Sequence, residues 1–182
     1  MVINHSIKNF EYEIVHQILF SELCFDICQS VKIIPGRGSD FLPFFYNLNF
    51  IKGIISLHSL LESGNSDELS VKNYFKEHKY NYPRADVGDF KKEIESVAKA
   101  FKKVTPLCLR HKIGAHIDGE FTHTDFTSAY IMPELVPKYC EVVRQLKNAF
   151  FKFCNYSRND DPFSKIKEQS KFVIDNIVKS TF

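Results

Sequence analysis

The sequence predicts an all-α protein, an up-and-down four-helix bundle with additional short helices. Along four long stretches, apolar residues recur at the three- and four-residue spacing of amphipathic helices, and no stretch shows the sustained alternation of a strand. Gly and Pro number 7 each in 182 residues, which is too few for a turn-rich β sandwich. The 18 Phe residues suit packed helix interfaces, because their large flat rings bury much apolar surface.

Length and composition indicate a single domain that covers residues 1–182. We place its core at about residues 5–157 and a C-terminal helix at about residues 162–181. Apolar residues make up 44% of the chain, which is enough for a substantial core. The net charge of +2 is too small to indicate a nucleic-acid-binding protein, so any site for a polyanion must come from local clustering.

The cysteines and the lengths of the apolar runs indicate where in the cell the protein is expected to lie. The 5 Cys residues are an odd number and no secretory signal precedes them, so we expect reduced thiols in a cytoplasmic protein. Cys24 and Cys28 lie four residues apart on a predicted helix, but there is no second pair, which favours core packing over a metal site. No apolar run reaches the ~18 residues of a membrane span, so we expect no membrane association.

The first predicted helix runs from about residue 3 to residue 34 and carries two apolar stripes. One stripe consists of Ile7, Phe10, Ile14, Ile18 and Phe25, and the other of Val15, Leu19, Leu23, Ile27, Val31 and Ile34. Two stripes indicate a helix that is buried on more than one side. The sequence Pro-Gly-Arg-Gly-Ser-Asp at 35–40 ends the helix, and because its Gly-x-Gly follows no strand we do not interpret it as a phosphate loop.

A second helix is predicted at about residues 41–62. Its apolar positions are Phe44, Leu48, Ile51, Ile55 and His58 on one face, with Ile54, Leu57 and Leu61 beside them. Because His58 lies on an apolar stripe, we interpret it as a hydrogen-bonded core histidine. Ser70 is the predicted N-cap of a short helix that ends near Glu77, before the break at Asn81-Tyr82-Pro83.

Further helices are predicted in the second half of the chain. Asp86 or Asp89 is expected to cap a helix with apolar positions every three or four residues. Thr105 and Pro106 then fit the N-cap and first position of a helix that restarts or kinks there and runs to about His116.

After a loop-like segment at 119–132, a long helix is expected to begin near Pro133 or Pro137. Residues Asp160-Asp161-Pro162 are expected to open the last helix.

A cluster of positive charge marks the segment from Val97 to Ile117, which contains no carboxylate. Its full cations are Lys99, Lys102, Lys103, Arg110 and Lys112. Clustered cations bind the phosphates of nucleic acid, so the four lysines are candidate RNA-binding residues. A solvated helix face is the alternative interpretation of the same lysines.

Arg110 and His116 are the candidate catalytic residues. The planar guanidinium fork matches phosphate oxygens and keeps its charge, while His titrates near neutrality and can move a proton. The pair suits cleavage of RNA by its own 2′-hydroxyl, with His116 as proton carrier and Arg110 stabilising the phosphorane, without a metal or another cofactor. Six residues turn an ideal helix by about 600°, so the two side chains meet only if the helix ends between them or a second subunit completes the site.

The segment Leu109-Arg-His-Lys-Ile-Gly-Ala-His-Ile-Asp118 resembles the signature of HEPN domains, an arginine followed by four to six residues and a histidine. Its Ala-His-x-Asp ending and the upstream runs 55–63 and 68–75 are similar to the abortive-infection branch of that family. The resemblance covers about residues 5–155 and implies a helical bundle that is often a homodimer, in which the motifs of two subunits face each other. It also implies metal-independent endoribonuclease activity in toxin–antitoxin or phage-defence systems. RNA is then the expected substrate and an antitoxin protein a candidate partner.

In this resemblance Arg110 and His116 correspond to the two motif residues, and His111 to the polar position after the arginine. That position is often Asn or Asp in the family. His111 is therefore either a second proton carrier or a sign of departure from catalysis. Asp118 is a candidate for orienting His116.

Alternative interpretations stay open for the same residues. Arg110 can form a salt bridge with Asp118, and His116 can favour a helix end through its charge. A second alternative is a bundle that binds nucleotide, RNA or a partner protein without cleavage. A third is a metal-dependent hydrolase, although the spacing of its ligands matches no strong motif. The candidate ligands are His116, Asp118, Glu120, His123 and Asp125.

Overall fold

The computed structural model describes residues 5–31, 41–62, 69–105, 133–156 and 164–180. Every regular element within these ranges is helical, which confirms the predicted all-α class. The elements are α1 (His5–Ser30), α2 (Phe41–Glu62), α3 (Val71–His78), a 3₁₀ turn (Lys79–Asn81), α4 (Arg84–Val104), α5 (Val136–Cys154) and α6 (Ser164–Ser180).

Helix α1 is the centre of the described bundle, since it packs against α2, α3, α5 and α6. Both predicted stripes contribute buried side chains, so the expectation of burial on more than one side is confirmed. The buried apolar residues of this region are Ile14, Val15, Ile18, Leu19, Leu23, Phe25, Ile27 and Val31. Cys24 and Cys28 are also buried in α1, as the core-packing interpretation predicts.

Helix α2 uses a different face from the one marked by Phe44, whose side chain is 50% exposed. The buried apolar stripe of α2 consists of Tyr46, Phe50, Ile54, Leu57 and Leu60. The hydrophobic side of this helix is wide, and packing against Phe25 of α1 selects which part of it enters the core.

The core of the bundle is built from aromatic rings that are fully buried. Phe25 of α1 stacks on Tyr139 of α5, with ring centroids 5.2 Å apart and an interplanar angle of 2°. Phe50 of α2 meets the Tyr139 ring edge-on at 5.6 Å, and Phe101 of α4 lies 6.2 Å from it. Tyr139 therefore joins the four long helices α1, α2, α4 and α5, and these contacts explain the high Phe content.

The described helix ends agree with the sequence except at two places: α1 ends at Ser30, earlier than the predicted residue 34, and the start of α4 differs. Ser70 caps α3 as predicted, with its Oγ accepting a hydrogen bond from the backbone N–H of Asn73 at 3.1 Å. The prediction that Asp86 or Asp89 caps α4 is wrong, because the cap position is Pro83. The proline φ of −56° already fits a helical first turn, and Asp86 lies within that turn, where its charge favours the helix dipole.

Helix α5 begins at Val136, between the two prolines that mark its predicted start. Pro137 lies in its first turn, where a missing N–H costs no hydrogen bond. Asn155 ends the helix in the left-handed conformation with φ 52°, and the N–H of Tyr156 bonds to Phe151 O at 2.8 Å. This closing pattern is typical of a helix C-cap.

Helix α6 is attached to α1 and α5 through Glu22. The Nζ of Lys147 donates to both Glu22 oxygens at 2.8 and 2.7 Å, and the Nζ of Lys167 donates to Oε2 at 2.6 Å. Lys167 also lies 3.7 Å from Asp26 Oδ2. The residues 160–162 that were predicted to open this helix lie outside the described residues.

No disulfide forms among the described cysteines Cys24, Cys28, Cys140 and Cys154, and Cys108 lies outside the described ranges. Burial raises the pKa of the Cys24 thiol to about 12 and that of Cys140 to about 11, so both stay protonated and unreactive at neutral pH. Among the helices described here, none is both long enough and apolar enough to cross a membrane.

Candidate functional site

The C-terminal end of α4 carries three of the predicted RNA-binding residues. Lys99, Lys102 and Lys103 are exposed, and their spacing of three and four residues puts them on neighbouring parts of one helix surface. Two facts give this end of α4 a local positive charge. Its last turn contains two lysines, and no acidic residue follows Glu95 in the helix.

Lys102 differs from its two neighbours because it has a carboxylate partner. Its Nζ lies 3.8 Å from Oε1 of Glu62, the last residue of α2, whose side chain is only 15% exposed. The other oxygen of Glu62 lies 3.9 Å from Nε2 of His58, one helical turn earlier. Glu62 therefore offsets part of the positive charge of this cluster.

His58 was predicted to be a hydrogen-bonded core histidine, and the structure places it in a half-buried position at the edge of the core. Its side chain is 17% exposed, and its ring meets Phe101 edge-on at a centroid distance of 6.5 Å. The ring thus lies against α4 one turn before the end of that helix. This packing connects the C-terminal ends of α2 and α4.

The segment that contains the predicted motif is joined to a fixed point of the core. Thr105 ends α4 in the extended conformation expected for the residue before a proline. Its Oγ1 accepts a hydrogen bond from the buried hydroxyl of Tyr139 at 3.1 Å. Burial raises the pKa of Tyr139 to about 12 despite this hydrogen bond, so the hydroxyl remains a donor at neutral pH.

Thr105, the last described residue before 106–132, therefore lies beside the first turns of α5, and the described chain resumes at Pro133, just before that helix. Tyr139 lies in that part of α5, and a turn at Pro133–Leu135 leads into the helix. The predicted catalytic and orienting residues, together with one predicted RNA-binding lysine, lie outside the described ranges. They are Arg110, His111, His116, Asp118 and Lys112.

The alternative metal cluster of His116, Asp118, Glu120, His123 and Asp125 also lies outside the described residues. Within those that are described, no group of three or more His, Cys, Asp or Glu side chains has the arrangement of a metal site.

The described part of this end can bind a polyanion. Lys99 and Lys103 are exposed, and Lys138 of α5 lies across a groove from Lys103. Neither Lys103 nor Lys138 forms an ion pair with any residue in the described parts of the chain. Side chains of this kind attract phosphates by charge and carry no base specificity of their own.

A second polar cluster lies at the opposite end of α4 and α5. The hydroxyls of Tyr74 and Tyr82 each donate to Oε1 of Glu11 at 2.5 Å, and the two hydroxyls also contact each other. Burial raises the pKa of both tyrosines above the ordinary value, and the hydrogen bonds to Glu11 add to the rise. Because Tyr82 also packs on Phe153 at 4.2 Å, the cluster joins α1, α3 and α5 as a structural contact.

Two residues that set the charge at this end of α4 were missed in the sequence: Glu62, which lowers it, and Lys138, which raises it. The four-residue spacing of His58 and Glu62 was a signal for a side-chain pair on one helix face. Lys138 gave no such signal, because only the packing of α5 against α4 brings it near Lys103.

Comparisons with protein-family models, with curated proteins and with solved structures found no match to this chain. The resemblance to HEPN domains therefore rests on the residues quoted for it, above all on the run from Leu109 to Asp118.

Proposed function

We propose that this protein is a metal-independent endoribonuclease of the HEPN type. The observation that carries the proposal is the motif Arg110-x₅-His116, which begins six residues after Val104, the last residue of the lysine-bearing end of α4, in a chain whose described elements are all helical. An arginine for charge and a histidine for proton transfer are the groups that cleavage of an RNA phosphodiester needs. Exposed lysines beside the start of the motif supply attraction for the RNA backbone.

In the proposed reaction the RNA provides its own nucleophile. His116 takes the proton of the 2′-hydroxyl, whose oxygen forms a bond to phosphorus as the bond to the 5′-oxygen breaks. Arg110 stabilises the charge on the phosphorane oxygens, and Asp118 orients His116. His111 acts as the second proton carrier and protonates the 5′-oxygen. The products are a 2′,3′-cyclic phosphate and a 5′-hydroxyl.

The further parts of the proposal follow from the same resemblance. Lys99, Lys102, Lys103 and Lys112 hold the RNA phosphates. Two copies of the chain form a homodimer that brings two motifs together. The protein acts in the cytoplasm in a toxin–antitoxin or phage-defence system, with an antitoxin protein as its partner.

The test is cleavage of a mixed-sequence single-stranded RNA in excess EDTA. We expect wild-type cleavage to persist and to leave 2′,3′-cyclic ends, and a substrate with 2′-deoxy sugars to resist. His116→Ala and Arg110→Ala are expected to lose activity by about a hundredfold or more. The matched controls are His123→Ala, a histidine outside the motif, and Arg84→Ala at the far end of α4. Both are expected to cleave like the wild type, and circular dichroism checks that every variant is folded.

The remaining outcomes discriminate between the alternatives. Loss of wild-type cleavage in EDTA would contradict the proposed roles and point to the cluster that includes His123. Absence of cleavage by a folded dimer would favour a bundle that binds without cutting. The presence of His111, where the family often has Asn or Asp, would then be a sign of departure from catalysis.

A further inference from the structure

An apolar groove runs between the C-terminal part of α4 and the N-terminal half of α5. It has a volume of about 620 Å³. Ala100 and Val104 of α4 line it on one side, and Leu135 and Val142 line it on the other. Lys103 and Lys138 also line the groove, one from each helix.

The charge at this groove is positive because its ionised carboxylate, Glu141, is already paired with an arginine. Glu141 accepts hydrogen bonds from Arg144 Nε at 2.7 Å and Arg144 Nη2 at 2.6 Å. Gln145 Nε2 donates to the same carboxylate at 2.7 Å. These bonds from Arg144 and Gln145 lower the pKa of Glu141 to about 2. In the described portion of the chain, Lys103 and Lys138 have no such acidic partner.

The shape of the groove fits a helix. Its lining follows α5 from residue 135 to residue 145, which is about 15 Å at the helical rise of ~1.5 Å per residue. An apolar groove between two helices is a common receptor for the apolar face of a third helix. A segment of about ten residues matches this length.

The apolar part of this lining argues against RNA bases as its occupant, whereas Lys103 and Lys138 attract acidic side chains and phosphates alike. None of the described side chains that line the groove is aromatic, so this described lining offers no flat ring on which a base could stack. Ala100, Val104 and Val142 offer no hydrogen bonds to base edges. Binding of an apolar side chain is instead favourable here, because it removes the apolar surface of the groove from water.

We propose that this groove binds an amphipathic, acidic helix of a partner protein. The apolar face of that helix covers Ala100, Val104 and Val142, and its Asp or Glu residues pair with Lys103 and Lys138. The charge of the groove selects an acidic partner, and its length selects a segment of about three turns. The inference does not depend on ribonuclease activity, since it concerns binding alone.

The experiment is a selection from a phage-displayed library of helical peptides with randomised surface positions, using the full chain as bait. We expect enriched peptides with apolar residues at the three- and four-residue spacing and Asp or Glu flanking them. Fluorescence anisotropy then measures the affinity of a synthetic enriched peptide for variants. Ala100→Arg fills part of the groove with a large side chain and leaves its positive charge in place. The double variant Lys103→Glu/Lys138→Glu instead reverses the charge of the two lysines that line the groove. Each is expected to weaken binding by at least about tenfold.

The matched control is Lys91→Glu/Lys92→Glu, which makes the same change of charge at the other end of α4. It is expected to bind the acidic peptide like the wild type. A peptide with its acidic residues changed to lysine is expected to bind Lys103→Glu/Lys138→Glu better than the wild type does. Circular dichroism and sedimentation establish that each variant is folded and report its oligomeric state.

Several results would overturn the inference. If no peptide were enriched, the groove would not be a binding site for a helix. If basic or uncharged peptides were enriched, Lys103 and Lys138 would not select an acidic partner. Equal affinity of the groove variants and the control would place the binding site elsewhere. Conversion of a wild-type dimer to a monomer by Ala100→Arg would mean that a second copy of this chain covers the groove, and not a partner protein.

Discussion

At the scale of single residues, the packing of Phe25 of α1 against α2 depends on Gly53. A Cβ at this position would lie 2.8 Å from Cζ of Phe25, well inside the contact distance of two carbon atoms. Phe25 has little freedom to move, because it is fully buried and stacked on Tyr139. Gly53 is therefore required by packing, although it costs helix propensity.

We expect Gly53→Ala to lower the free energy of unfolding by about 1 kcal/mol. The overpacking cost of about 2 kcal/mol exceeds the gain of about 1 kcal/mol in helix propensity. Gly88→Ala is the matched control, since a Cβ there meets no atom within 4 Å. That variant is expected to gain about 0.5–1 kcal/mol. Urea denaturation followed by circular dichroism measures both, and equal stability of the two variants would contradict the packing argument.

At the scale of elements, ion pairs of Lys167 with Glu22 and Asp26 connect α6 to α1 in the described part of the chain. Burial alone would raise the pKa of Glu22, but the hydrogen bonds and charges of Lys147 and Lys167 outweigh it and hold that pKa below the ordinary value. Asp26 has the opposite shift, because its burial raises the pKa more than the charge of Lys167 lowers it. The two carboxylates therefore have opposite effects on the pH dependence of stability.

The depressed pKa of Glu22 stabilises the fold above the ordinary carboxyl pKa, and this contribution is lost as the pH falls through the folded-state value. Asp26 acts in the other direction, since protonation relieves its burial. We expect Glu22→Gln to lose about 1–3 kcal/mol at neutral pH and to lose less stability than the wild type on acidification below about pH 4.5. Urea unfolding between about pH 7 and pH 3 measures this.

Glu13→Gln supplies the control for that experiment, because Glu13 is an exposed glutamate on the same helix. The free energy of unfolding of this variant is expected to change with pH as that of the wild type does. If the free energy of unfolding of Glu22→Gln changed with pH in parallel to that of the wild type, the contacts of Glu22 with Lys147 and Lys167 would contribute nothing to the pH dependence of stability.

Element positions were more predictable than the faces they bury. Ser70 marks its helix start because its hydroxyl satisfies a backbone N–H within the same turn, which is a local effect. The start of α4 was misplaced because Asp86 is equally favourable inside a first turn and before it. The exposure of Phe44 could not be read from the sequence, since it depends on where α1 and α5 meet α2.

At the scale of the whole molecule, the helical bundle was predictable because its apolar spacing is helical throughout. The cluster of positive charge in the sequence also identified the lysines of the candidate site. It did not show which of these lysines has a carboxylate partner. Lys102 meets Glu62 only because α2 and α4 end side by side, and Lys138 reaches the groove only through the pairing of α4 with α5. Roles for Arg110 and His116 remain predictions, as these residues lie outside the described ranges.

The distribution of charge predicts unequal contributions of the lysines to RNA affinity. In a His116→Ala background, Lys99→Ala and Lys103→Ala should each weaken binding of single-stranded RNA and reduce the slope of log affinity against log salt by about 0.7. Lys102→Ala should have a smaller effect, because Glu62 already offsets its charge. Fluorescence anisotropy at several salt concentrations measures these slopes.

Lys91→Ala is the control for this series, since Lys91 is paired with Glu95 near the start of α4. Its slope is expected to equal that of the background protein. Equal slopes for all four lysine variants would place the RNA away from the end of α4.

The central place of α1 has a consequence for synthesis on the ribosome. Lys147, the partner of Glu22 in this helix, follows 125 residues later in the chain. At translation rates of about 5–20 residues per second, the apolar sides of α1 wait on the order of 10 s for α5. The nascent chain therefore presents the side of α1 that α5 will cover as an apolar surface, a suitable substrate for chaperones, until α5 has been synthesised.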